Sequence, residues 1–223
     1  MTDKDRMVMR VAVLGGTGKE GSGLAMRWAL NGYHVIIGSR DAARAAQRAA
    51  EMNEQLGGEY LVGMDNAAAA AGADLVVLSV PYSAHKDTLE SVREQLAGKI
   101  LVDVTVPLAP PKVRVVSVPE GKAAALETRD IVGETVRVVS AFQNVSAEKM
   151  QDPNLPVDCD VLVCSDDAEA KADVMKLVAA AGMRGVDAGP LANAVAAEAL
   201  TPVLLHINKA YGVKGAGIRI TGI

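Results

Sequence analysis

The stretch Arg10–Gly23, RVAVLGGTGKEGSG, sets the architecture. A short β-branched run over Arg10–Leu14 leads into Gly16-x-Gly18-x-x-Gly21, and a helical pattern continues from Lys19 to Leu30. Spaced glycines alone are a weak signal. Placed between a strand and a helix, they match the loop that cradles a dinucleotide. Gly16 permits a tight turn, Gly18 lets backbone approach a diphosphate with no Cβ in the way, and Gly21 lets the helix lie close on the strand. Free N–H groups and the dipole at the helix N-terminus favour the anion. The competing reading is a glycine-rich turn with no ligand. Gly-x4-Gly-Lys-Ser/Thr is absent, so Lys19 is not a Walker lysine.

The pattern repeats along the chain. Asn31-Gly32 ends the first helix, and Tyr33–Ile37 reads as a second strand. Asp41–Leu56 is an Ala-rich helix stopped by Gly57-Gly58, and Tyr60–Gly63 is a weaker strand. A short helix capped by Asp65 or Asn66 runs through Ala71. Asp74–Val80, Ser83–Leu96 and Ile100–Val104 read as strand, helix and strand. VAVL, VII and LVVLSV are continuously apolar, which means burial on both faces and hence a parallel sheet covered by helices. Val106–Glu120 holds four prolines and reads as a loop. A helix and the strand Val136–Ser140 follow, then an irregular crossover over Phe142–Pro156. Val157–Cys164 reads as a strand, Asp166-Asp167 cap a helix to about Ala181, and Arg184–Val186 is a short strand. A mostly apolar helix runs from about Leu191 to Tyr211; Pro202 should kink or break it, and its apolar character predicts burial all round, against a partner subunit. The expected fold is α/β: a Rossmann-type, doubly wound, mainly parallel sheet over residues 1–140, with a small C-terminal α/β extension over 141–223 for substrate and dimerisation.

The end of the second strand bears on the choice of dinucleotide. NAD sites carry an acidic residue there for the ribose 2′-hydroxyl. Here the sequence is VIIGSRDAAR, with Ser39 and Arg40 at that place and Arg44 one helical turn later. One hydroxyl and two guanidiniums suit a 2′-phosphate. Both arginines also sit at a helix N-terminus, where cations oppose the dipole; a bound anion accounts for that placement. Solvated surface charge is the bland alternative, and Asp41, which could reach a ribose hydroxyl, reads better as a helix cap. The expected cofactor is NADP.

The 223 residues are 50% hydrophobic and 22% charged, with a net charge of −4. That is globular composition, with no basic footprint for nucleic acid. No apolar run reaches membrane-spanning length, and the charged start MTDKDRMVMR is not a signal peptide, so the expected location is the cytoplasm. Cys159 and Cys164, an odd number of positions apart on one strand, point to opposite faces. Free buried thiols are expected, without a disulfide or shared metal.

The sequence resembles the NADPH-dependent coenzyme F420 reductases, also called F420H2:NADP oxidoreductases, over nearly its whole length. The likeness includes Arg10–Arg40, VPYSAHKDTL (80–89), SAFQNVSAEKM (140–150) and VDAGPLANAVAAEALTPVLLHINKAYG (186–212). DAGPL and EALTP are the more specific parts. The resemblance implies NADP held by Thr17, Lys19, Ser39, Arg40 and Arg44, with Pro81 near the nicotinamide, coenzyme F420 in a cleft between two parts, and a homodimer. Gly16, Gly18, Glu20, Gly21, Ser79, Val80 and Ala84 complete the expected cofactor contacts. The sequence departs from the pattern in the crossover Phe142-Gln143-Asn144-Val145-Ser146, where some relatives have a His and a Pro, at Val195, where others have a basic residue, and at His85, displaced from the histidine of some members.

Hydride transfer between two ring cofactors needs alignment more than acid–base help, so no catalytic acid or base is expected. His85, at the carboxyl end of the fourth strand, is a candidate to line the acceptor site, as are Gln143, Asn144 and Asn193. Glu198 could contribute there or pair within the helices. His34 reads as structural and His206 as a core or interface residue. Three readings remain open: an F420-dependent NADP reductase, an NADPH-dependent reductase of another acceptor (flavin, ferric chelate, carbonyl or imine), and a non-catalytic NADP sensor.

Overall fold

The computed structural model describes residues 9–223; most of the charged N-terminal segment read above as no signal peptide lies outside them. In chain order the elements are β1 (Arg10–Leu14), α1 (Lys19–Leu30), β2 (His34–Ser39), α2 (Ala42–Leu56), β3 (Leu61–Asp65), α3 (Asn66–Gly72), β4 (Leu75–Leu78) and α4 (Tyr82–Val92). They continue with β5 (Ile100–Asp103), α5 (Ala124–Val132), β6 (Arg137–Ser140), α6 (Ala147–Met150), β7 (Asp160–Val163), α7 (Ala168–Ala180), β8 (Arg184–Asp187) and α8 (Ala194–Tyr211). Strand order is β3-β2-β1-β4-β5-β6, and every neighbouring pair is parallel. The reversal between β1 and β4 opens a crevice at the carboxyl ends of the strands, where α/β sheets bind ligands. β7 and β8 form a second parallel pair, joined to β6 by an antiparallel bridge between Ser140 and Cys164.

The two-sided burial read from the strand sequences is present residue by residue. Along β1, Val11 and Val13 enter the core on one face of the sheet, and Ala12 and Leu14 the core on the other. The first core takes in α1, α2, α7 and the crossover; the second takes in α3, α4, α5 and the start of α8. Side chains of Asp41, Asp65 and Asp167 cap α2, α3 and α7, each accepting a backbone N–H of the first turn. Arg27 is buried, and its guanidinium donates to the carbonyls of Ala181, Lys149, Asp152 and Leu155, pinning the irregular crossover to α1.

Several expectations need correction. The helix expected over Ser83–Leu96 ends at Val92 and tightens into a 3-10 turn over Arg93–Leu96. The strand read as Val157–Cys164 is only Asp160–Val163, so the cysteines flank it; both are buried and free, as expected. α8 runs through Pro202 without a break. Nor is it buried all round: Ala194, Ala197, Glu198, Pro202 and Leu204 face inward while Val203 is 43% exposed. Its inner side packs on α5 and the crossover, and its outer side is exposed around Val203. No described helix is long and apolar enough to cross a membrane.

Candidate active site

The glycine loop is built for two purposes, and the structure separates them. The left-handed residue of the turn is Gly15 (φ +75°), not Gly16 as the spacing suggested; its N–H and that of Gly16 both donate to Gly38 O. These bonds bring the loop against the end of β2, next to Ser39. A Cβ on Gly16 would come within 2.8 Å of Val13 O, and one on Gly21 within 2.9 Å of Gly16 Cα. Those two positions are therefore small because of packing inside the protein. Gly18 differs: its φ is −78°, which any residue adopts, and a Cβ there would meet only Gly15 O, at 3.4 Å. Nothing among the described residues requires a glycine at 18, whereas a ligand laid on the loop would. Gly18 is also the N-cap of α1 and contributes no side-chain cap, leaving the first N–H groups open to an anion. Gly18→Val should leave folding stability within about 0.5 kcal/mol yet lower dinucleotide affinity more than about tenfold, read by titration calorimetry beside thermal melting; unchanged affinity would exclude the loop as a diphosphate cradle.

From this loop a cleft of about 840 Å³ extends along the carboxyl ends of β4, β5 and β6. Its floor holds Ser79–Ser83, Val104–Val106 and Gln143–Ala147; the proline-rich loop covers one side with Leu108, Pro110 and Val113. Thr201, Leu204 and Asn208 of α8 form the far wall, and Val213–Ala216 the rim. The tail carrying that rim is tied down by Asp160, which accepts from Ile220 N and pairs with Arg184. The Arg184 hydrogen bond holds the Asp160 carboxyl well below the usual carboxylate range.

Among the expected cofactor contacts, Gly18, Lys19, Glu20, Ser79, Val80 and Pro81 line the cleft. Gly16 and Gly21 sit beneath it, in packing. Thr17 stays on the loop, and Ser39, Arg40 and Arg44 lie on an open shelf at the end of β2, outside the cleft. Asp41 caps α2 through Oδ1, which accepts from Ala43 N and Arg44 N at 2.9 and 3.2 Å. Arg40 and Arg44 are exposed and have no acidic partner among the described residues. Ala84 stands back from the cleft in the first turn of α4, its N–H on Pro81 O.

Two acceptor-site expectations are corrected. His85 does not line the cleft: it is buried, with Nε2 3.0 Å from Asp103 Oδ2 and 2.7 Å from Thr128 Oγ1. Thr128 Oγ1 itself donates to Asp103 Oδ2, so the proton shared with the pair is carried on His85 Nε2. Burial alone would lower this histidine's pKa, but the bond to Asp103 and its charge outweigh it, and the net shift is upward. Asn193 is exposed and closes the turn before α8 by donating to Ala188 O, away from the cleft. His206 is exposed on α8, not in the core.

Gln143 and Asn144 do line the cleft. Asn144 spends its amide N–H on Asp160 O at 2.7 Å. Gln143 Nε2 donates to Asp103 O at 2.7 Å and to Ser140 Oγ at 2.9 Å. A backbone carbonyl can only accept, so the amide orientation is determined and Oε1 is left without a partner. Thr105 Oγ1, also in the lining, is likewise unpartnered among the described residues. Buried polar atoms are seldom left unpaired; these two, with the empty face of Gly18, fit a site that takes a polar ring ligand. Thr105 and Thr201 were missed in the sequence; only the carboxyl-end rule for β5 could have pointed to Thr105, and nothing local marks Thr201. Burial, with the nearby Asp103 charge, pushes the Glu20 carboxyl up to about 8, which lessens its repulsion of a phosphate beside the glycine loop.

This geometry has close counterparts. Residues 10–107 match the family described as NADP oxidoreductase, coenzyme F420-dependent. The chain is 42% identical to the F420-dependent NADP reductase of Methanothermobacter thermautotrophicus, covering 97% of both proteins. It is also 42% identical to that of Methanocaldococcus jannaschii, over 96% of this chain and 99% of the relative. A crystal structure from Arthrobacter sp. FB24, provisionally named an F420-dependent NADP-reductase, aligns with a TM-score of 0.80 at 30% identity, over 96% of this chain and 100% of its own. With a dinucleotide loop opening into one shared cleft, and with that identity along almost the entire length, the chain belongs to the F420-dependent NADP reductase family.

Proposed function

We propose that this protein transfers a hydride between NADP(H) and coenzyme F420. The observation that carries the reading is the single cleft that begins at the Gly18 loop and ends at α8, roomy enough for two flat rings side by side. When bound, the dinucleotide and the deazaflavin supply the carbon centres that give up and take the hydride. The chain's own residues do the rest. Lys19 and the open N–H groups of α1 hold the diphosphate, Ser39, Arg40 and Arg44 hold the 2′-phosphate, and Val80 and Pro81 bring the nicotinamide into the cleft. Gln143 Oε1 and Thr105 Oγ1 offer hydrogen bonds to ring substituents, and Leu108, Val113, Leu204 and Leu205 exclude water. Alignment of the rings supplies the rate; no side chain is needed as acid or base. Residues 1–140 carry NADP in this reading, and residues 141–223 supply the acceptor wall. The protein works as a cytoplasmic homodimer that covers the exposed side of α8 around Val203.

Purified protein mixed with NADPH and coenzyme F420 should bleach the deazaflavin's visible absorbance, with NADH a much poorer donor. Tight NADPH binding without bleaching would refute F420 as acceptor and leave the dinucleotide site standing.

A further inference from the structure

α5 begins without a cap of its own. Its N-cap residue is Ala123, which has no side chain to offer, and Ala123, Ala124 and Ala125 are all completely buried. Water cannot reach the N–H groups of that first turn, yet buried donors need acceptors. The acceptor comes from the other end of the chain. Glu198 of α8 is 2% exposed, and its Oε2 and Oε1 accept from Ala124 N at 2.7 Å and Ala125 N at 3.0 Å. Three residues further along α8, Thr201 Oγ1 donates to Gln143 O at 2.6 Å. Thr201, Leu204, Leu205 and Asn208 are the residues by which α8 walls the cleft. The wall is thus fastened at two points, one ionisable, and both precede the lining residues or coincide with them.

We propose that Glu198 is a positioning residue: its carboxyl group latches α8 onto the uncapped N-terminus of α5 and so sets how closely the cleft wall meets the acceptor ring. The inference rests on the reading of the cleft as the site of hydride transfer. The latch touches neither the glycine loop nor the shelf at the end of β2, so it bears on the acceptor and not on the dinucleotide.

The latch is also sensitive to pH. Burial pushes the Glu198 carboxyl up to about 7, against the two backbone N–H bonds, which pull it down. The groups that face it are Asp103 of β5, which raises it, and His85 of α4, which lowers it; Tyr82 and Cys164 feel its charge, and Glu127 lies on α5 itself. The closed latch holds its proton more tightly than an open, solvated Glu198 would. Closure is therefore strongest below the ordinary carboxylate range and weakens as pH rises toward about 7, where the closed form ionises.

Glu198→Gln keeps the shape and one acceptor oxygen but turns an NH2 toward the second N–H; Glu198→Ala leaves both donors orphaned. Glu198→Gln should raise the KM for coenzyme F420 about tenfold, the usual effect of leaving one buried donor unpaired, with NADPH Kd within about twofold. Loss of folded protein alone would lower kcat and leave KM unchanged. The wild-type KM should rise between pH 6 and pH 8, and the ratio of variant to wild type should change over that range, which cancels titration of the substrates. An unchanged F420 KM, an equal loss of NADPH affinity, or a pH-independent ratio overturns the proposal. If the wild-type protein does not reduce F420, the acceptor assignment fails separately. Amide exchange then decides the latch: faster exchange at Ala124, Ala125 and along α8 in the NADPH-bound Glu198→Gln protein supports it, and exchange identical to wild type overturns it.

Discussion

Replacing Arg40 and Arg44 together by alanine should weaken NADPH binding about a hundredfold while changing NADH binding less than about threefold. The reasoning is electrostatic and local. Both side chains are exposed at the end of β2 and the start of α2, beside the loop tethered to Gly38 O. Neither has a carboxylate partner among the described residues, and Asp41, adjacent to Arg40 in sequence, caps α2 by accepting from Ala43 N and Arg44 N. A charge-assisted bond to phosphate contributes roughly 1.5–3 kcal/mol, and two such bonds that are partly screened by solvent correspond to about a hundredfold. NADH has no 2′-phosphate and loses nothing specific. Fluorescence titration with each nucleotide reads both constants. Equal losses for the two would refute the assignment of the shelf to the 2′-phosphate. Because the two side chains make no hydrogen bond or ion pair among the described residues, the melting temperature of the double variant should stay within a degree or two of wild type.

Trp28→Ala should cost about 3–5 kcal/mol of folding stability, measured by chemical denaturation followed by far-UV circular dichroism. Trp28 is fully buried on α1, and its ring meets Phe142 edge-on, with centroids 5.9 Å apart and planes at 72°. Its Nε1 donates to Leu177 O at 2.9 Å, so one side chain joins α1, the crossover and α7. Alanine leaves a cavity that three elements cannot jointly close, and an orphaned carbonyl on α7. Phenylalanine at the same position restores most of the apolar contact without the N–H, and should recover more than half of the loss. A loss below about 1 kcal/mol in Trp28→Ala would mean that α7 does not stabilise the first five strands and folds as a separate unit.

The legibility of this chain follows the range of the interactions involved. The β1–α1 loop, the helix caps and the continuous apolar strands depend on neighbours a few residues away or on a simple period, so Lys19–Leu30 was located to the residue and Asp41 was recognised as a cap. At the end of β2 the expectation of an anion rests on charge type and position, and the structure places Arg40 and Arg44 there exposed. The acceptor side was harder. His85 looked like a cleft residue because it follows β4 at the productive end of the sheet. One turn into α4, however, its ring swings under the floor to Asp103 and Thr128, partners 18 and 43 residues away. Asn193 sits in a family-like stretch but serves the turn after β8.

Composition, periodicity and the glycine spacing were sufficient for a doubly wound parallel sheet with a dinucleotide at its switch point, since backbone sterics and strand burial leave few other solutions. They also carried the preference for a 2′-phosphate. They could not assign the positive φ to Gly15 over Gly16, because that depends on Ser79 approaching from β4. Nor could they show that α8 supplies the cap α5 lacks, or that Thr201 and Thr105 face one space. Each of those pairings joins residues from separate elements, and no local pattern records which atoms will be left over when the helices close on the sheet. Packing assigns the leftover donors and acceptors, and two of those it leaves unpaired among the described residues, Thr105 Oγ1 and Gln143 Oε1, belong to residues on the floor of the cleft.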